Sequence, residues 1–103
     1  MKPYEGTIVI DGSLENEHID AEVKKIEDLI QSRNGTIIDV NRWGRRKLAY
    51  PIRKKEQGYY VVIRFEAEGS SIAGLEHELE LNEAILRCLT VALDKSPSGE
   101  KRK

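Results

Sequence analysis

The chain has 103 residues, 39% hydrophobic and 34% charged, with a formal net charge of −1. At roughly 100–200 residues per domain this is a single domain, too small for an enzyme cleft between two lobes and too apolar to be disordered. A lone cysteine, Cys88, excludes an intramolecular disulfide framework and every multi-thiolate metal site. With no apolar signal core and no apolar run long enough to span a membrane, the expectation is a soluble intracellular protein.

Residues 4–10 (Tyr-Glu-Gly-Thr-Ile-Val-Ile) are rich in strand formers and stop at the turn signal Asp11-Gly12. From Asn16 to Arg33, Ile19, Val23, Ile26 and Ile30 recur at steps of four, three and four, the spacing of one helix face, and Leu29 widens the stripe. Ser13 or Asn16 is placed to cap this helix, and Asn34-Gly35 to supply left-handed dihedrals at its end. Thr36 to Trp43 reads as a second strand and Tyr59 to Glu66 as a third. In the third, Tyr59, Val61, Ile63 and Phe65 share one face, opposite Tyr60, Val62 and Arg64. These two strands form a long hairpin, with Pro51 suited to an edge or bulge. Ser70-Ser71 opens a second helix on Ile72, Leu75 and Leu79, weakened by Gly74, with Glu76, Glu78 and Glu80 outward. Asn82-Glu83 then turns into a fourth strand, Ala84 to Leu93.

The order β-α-β-β-α-β predicts an α+β, ferredoxin-like domain over residues 1–95, with two helices on one face of a four-stranded antiparallel sheet. Residues 96–103 are a polar tail, expected to be disordered.

The near-zero net charge conceals a strong asymmetry. Residues 42–55 hold seven cations (Arg42, Arg45, Arg46, Lys47, Arg53, Lys54, Lys55) and no acid, whereas the segments before and after carry net −5 and −3. A basic segment on an acidic body suits a polyanion, although a solvated Lys/Arg-rich hairpin has the same composition. Arg45 and Arg46 are adjacent and would face opposite ways in a regular strand, unless a bulge at Gly44 redirects one of them. Arginine forks suit bidentate phosphate contacts, while Lys47, Lys54 and Lys55 act as point charges. The apolar Leu48-Ala49-Tyr50-Pro51-Ile52 within the segment anchors the hairpin or meets a protein partner.

No catalytic set accompanies this patch. His18 and His77 stand alone on the two helices, Cys88 reads as a small packed hydrophobe, and the carboxylates fall mainly on solvated helix faces. Small acylphosphatases of this topology use an arginine in the loop after the first strand, which Asp11-Gly12-Ser13 lacks. The RNA-recognition motif also shares the topology, but Gly58-Tyr59-Tyr60-Val61-Val62-Ile63-Arg64-Phe65 departs from its octapeptide at Tyr60. The residues point to an anion-binding small domain for structured RNA. An acylphosphatase-like enzyme or a ligand-sensing interaction module is the alternative.

The series Tyr4-Glu5, Gly35, Trp43-Gly44-Arg45-Arg46-Lys47-Leu48-Ala49-Tyr50-Pro51-Ile52 and Gln57-Gly58-Tyr59-Tyr60 resembles the bacterial ribosomal protein family numbered six of the small subunit, the bS6 type. Its most specific signature is Gly-x-Arg-x-Leu-Ala-Tyr-Pro-Ile, read from Gly44. Leu81-Asn82-Glu83 and Arg87 sit where that family has its closing elements. The resemblance implies a non-catalytic, cofactor-free protein of the cytoplasmic ribosome. It would bind the central domain of the small-subunit rRNA as a heterodimer with the small-subunit protein numbered eighteen. Carried over by position, Arg45, Arg46 and Lys47 become backbone contacts, with Lys2, Lys54 and Arg87 as further candidates. Arg42, Arg53 and Lys55 join them on electrostatic grounds, and Trp43, Tyr50 and Tyr60 are assigned to the protein interface.

Overall fold

The computed structural model describes residues 1–93, so the polar tail expected at 96–103 lies outside the described residues. The elements are β1 (Lys2–Asp11), α1 (Asn16–Ser32), β2 (Thr36–Ile52), β3 (Lys55–Ala67), a 3-10 turn at Gly69–Ser71, α2 (Ile72–Leu81) and β4 (Ile85–Ala92). The strands pair antiparallel in the order β2-β3-β1-β4, the arrangement expected from the split β-α-β repeat.

Alternation decides what each strand buries. Tyr4, Ile8 and Ile10 of β1, Val61, Ile63, Phe65 and Ala67 of β3 and Ile85 of β4 form the core with Ile19, Val23, Ile26 and Ile30 of α1 and Leu75 and Leu79 of α2. The helical stripes read from the sequence are therefore the residues that meet the sheet. Phe65 is 1% exposed and stacks on Tyr4 with ring centroids 5.9 Å apart. On the opposite, open face a smaller cluster joins Val9, Leu48 and Leu86, flanked by Ile52 and Tyr60.

Several boundaries differ from the sequence expectation. The second strand continues to Ile52 rather than stopping at Trp43, and the third begins at Lys55 rather than Tyr59. Charged side chains do not break a strand whose faces meet water; Leu48 and Ile52 pin the far end of the hairpin against the open face. Neither Ser13 nor Asn16 caps α1: Glu15 holds the N-cap position without a side-chain hydrogen bond. Ser13 is taken instead by Asp11, whose Oδ1 accepts from the Ser13 amide at 2.9 Å and its hydroxyl at 2.7 Å. At the other end of α1 only Asn34 is left-handed, at φ 66°. Gly35 is required for space, because a Cβ there would lie 2.7 Å from Ile30 Cγ2. β4 starts one residue late because Asn82 Oδ1 accepts the Ala84 amide at 2.9 Å and keeps it in the turn.

Glu22 is the carboxylate that departs from the solvated-face expectation. It is 2% exposed on α1, accepts a hydrogen bond from the Asn82 side-chain amide at 2.8 Å, and pairs with Lys25 at 3.3 Å and His18 at 3.4 Å. A buried charge must find such partners or neutralise. Burial pushes the Glu22 carboxyl up, but Asn82 and Lys25, with the His18 charge, bring it below its ordinary value. The pair ties the entry of β4 to the middle of α1.

Candidate nucleic-acid interface

The β2–β3 hairpin carries the basic segment, and its irregularities decide where each cation goes. Register jumps between Arg42, opposite Val61, and Gly44, opposite Tyr60, so Trp43 is an extra residue in β2. Gly44 accommodates the bulge at φ +94°, a region L side chains avoid. The bulge foreseen at Gly44 is thus present, but it does not bring Arg45 and Arg46 together. It brings Arg42 and Arg45, three residues apart, to the helix face, where both lie over the Tyr59 ring at 5.4 and 5.9 Å.

Three of the seven cations are held against the body. Arg42 pairs with Asp20 of α1 and donates from Nε to the Tyr59 hydroxyl at 2.9 Å, and these partners hold its charged form more firmly than usual. Arg45 donates to Gly12 O at 2.9 Å, Leu14 O at 2.6 Å and Asn16 Oδ1 at 2.7 Å. Lys55 meets Asp11 at 3.2 Å. Burial works against the Asp11 charge, but the Ser13 hydrogen bonds and Lys55 outweigh it and keep the carboxyl below its ordinary value.

The other four, Arg46, Lys47, Arg53 and Lys54, are exposed and have no ion-pair partner among the described residues. Arg46 lies 5.5 Å above the Trp43 ring. Arg53 and Lys54 form the hairpin tip at φ 52° and 68°, with Ile52 opposite Lys55. Two consecutive positive φ values mark a type I′ turn, which Asn-Gly fills most easily. A pair of cations is therefore displayed at a position where local propensity disfavours them.

The remaining candidates are more scattered. Arg87 of β4 donates to the Tyr50 hydroxyl at 2.8 Å across the open face, at the rim of a shallow hollow of about 310 Å3 lined by Val9, Leu48, Tyr50, Tyr60 and Leu89. Lys2 begins β1 opposite Ala67, whereas the hairpin extension starts beyond Gly58, roughly 30 Å of strand away. The geometry does not bring Lys2 to the hairpin. Trp43 is 50% exposed, Tyr50 55% and Leu89 59%, while Tyr60 is half-buried on the open face and Tyr59 half-buried on the helix face. Asp20 and Asn16, which hold Arg42 and Arg45, carry no sequence signal for that role, since they lie far from the hairpin cations along the chain, whereas Tyr59 faces Arg45 across the hairpin itself.

Elsewhere the chemistry is sparse. His18 and His77 are exposed, as expected. Burial pushes the Cys88 thiol up to about 11, with Glu76 and Glu80 adding to it, so it is protonated at neutral pH. Among the described residues no group of three His, Cys, Asp or Glu side chains is placed to hold a metal ion, and no helix is long and apolar enough to cross a membrane.

Comparison with known proteins decides the family. The model of the family described as Ribosomal protein S6 matches residues 3–92. The chain belongs to the ribosomal protein S6 family. It is similar to the small ribosomal subunit protein bS6 of Paenarthrobacter aurescens, 40% identical over 87 residues, covering 84% of this chain and 86% of that protein. The bS6 protein of Corynebacterium efficiens is 36% identical over 95 residues, covering 92% of this chain and all of its own. The crystal structure of 30S ribosomal protein S6 from Thermotoga maritima superposes with a TM-score of 0.84 at 31% identity, covering 89% of this chain and 87% of that one. This S6-family chain has the ferredoxin-like architecture and is a structural, non-catalytic protein of the small subunit of the cytoplasmic ribosome. The acylphosphatase and ligand-sensing readings fall away.

Proposed function

We propose that this S6-family protein binds the central domain of the small-subunit rRNA through phosphate contacts from its β2–β3 hairpin, together with the small-subunit protein numbered eighteen. The observation that carries this reading is the division of the hairpin cations. Arg42, Arg45 and Lys55 are engaged by the body, while Arg46, Lys47, Arg53 and Lys54 are displayed without acidic partners among the described residues. Cations left without acidic partners are what backbone binding needs, because phosphate contacts position the protein without reading bases.

Arg87 and Lys2 are secondary contacts in this account. The protein partner docks on the open sheet face around Tyr50, Tyr60 and Leu89, with Trp43 at its margin. Exposed aromatic and aliphatic side chains gathered beside a shallow hollow support that placement. The test is binding of the full chain to a central-domain rRNA fragment at two salt concentrations, with and without the eighteenth protein. Salt-sensitive binding strengthened by the partner supports the reading; absence of binding under both conditions refutes it.

A further inference from the structure

The family resemblance groups Arg45 with Arg46 and Lys47 as phosphate contacts, but its guanidinium is already occupied. We infer that Arg45 is a positioning residue, a pin that sets the angle at which the hairpin displays its free cations, rather than a phosphate contact. The inference rests on the hairpin being the RNA-binding element.

Three donors of Arg45 converge on the connection between β1 and α1: Nε on Gly12 O at 2.9 Å, one terminal nitrogen on Leu14 O at 2.6 Å, the other on Asn16 Oδ1 at 2.7 Å. Two of these acceptors are backbone carbonyls, fixed by the path of the chain. The same connection is tied to the other hairpin strand, because the Gly12 amide donates to Gln57 O at 3.0 Å. The approach is close: a Cβ on Gly12 would lie 2.8 Å from the Gln57 carbonyl carbon. The loop is therefore wedged between Arg45 of β2 and Gln57 of β3, at the point where the hairpin leaves the sheet. The Trp43 bulge is what turns Arg45 to this side, and Tyr59 beneath it completes the seat. A phosphate taking the same fork would have to release the loop carbonyls. Lysine offers a single nitrogen and cannot span the three acceptors.

Arg45→Lys and Arg45→Ala in the full chain distinguish a pin from a phosphate contact. For a pin, amide exchange in the RNA-free protein accelerates roughly three- to tenfold across residues 44–58 in both variants, while the β1 and β4 amides keep their rates. With a central-domain rRNA fragment, both variants weaken binding alike and leave the slope of log K against log salt unchanged. Unchanged exchange overturns the inference. So does an alanine variant whose slope is shallower by about 0.7–0.9 while the lysine variant retains it, the mark of a lost phosphate contact. The two readings fail separately: if changing Arg46, Lys47, Arg53 and Lys54 together to Gln leaves RNA binding untouched, the hairpin is not the RNA element, and the exchange rates still decide whether Arg45 pins it.

Discussion

The hairpin tip sets charge display against backbone preference, and exchanging its two residues separates them. Arg53 and Lys54 occupy left-handed φ values of 52° and 68°, a conformation that costs L-residues about 1–2 kcal/mol each in its helical form. Arg53→Asn with Lys54→Gly supplies the residues a type I′ turn prefers. Glycine returns about 0.5–1 kcal/mol of that gain through the flexibility of the unfolded chain. The expected net stabilisation is ~1 kcal/mol, equivalent to about 4–8 °C in Tm for a domain of this size by calorimetry. The same change removes two displayed cations, so the salt slope of rRNA binding becomes shallower by about 1.4–1.8. Higher Tm with weaker, less salt-sensitive binding is the expected pair of results. A Tm that stays level or falls refutes the strained turn, and an unchanged slope refutes contact between the tip and phosphate.

Gly58→Ala places a Cβ 2.4 Å from Val9 Cγ1 and 3.1 Å from Leu48 Cδ2, so denaturant unfolding shows a loss of about 1–3 kcal/mol as the open-face cluster is pushed apart. Glu22→Gln isolates the buried charge. The native Glu22 carboxyl lies below its ordinary value, so its contribution is present above the unfolded pKa of about 4.3 and is lost as pH falls through the lower folded value. The variant is therefore less stable by ~1–2 kcal/mol at pH 7, and the gap closes in acid; a gap that is constant with pH in urea titrations contradicts the ionic account.

The fold was legible because two periodicities run through the chain without conflict. Ile19, Val23, Ile26 and Ile30 repeat at helical spacing, and Val61, Ile63 and Phe65 at strand spacing; all are buried in one core. The hairpin was legible as charge but not as geometry. Seven cations without an acid mark Arg42–Lys55 as one basic segment, yet which of them are free depends on Asp11, Asn16 and Asp20, contributed by other parts of the chain. A one-residue slip at Trp43 moves Arg45 from one face to the other, and alternation read along the sequence cannot see it. Glu22 was hidden for a similar reason, since its partner Asn82 lies sixty residues away. Local pattern names the elements; long-range polar pairing assigns the side chains.

The central claim is that Arg46, Lys47, Arg53 and Lys54 neutralise rRNA phosphates. The most direct measurement is the salt dependence of binding to a central-domain rRNA fragment, in the presence of the eighteenth small-subunit protein, for the native chain and for the variant with all four changed to glutamine. The account predicts a slope shallower by about 2.8–3.6 in the variant, from 0.7–0.9 per phosphate released, with the fold intact by circular dichroism. An equal slope in the two proteins would contradict it.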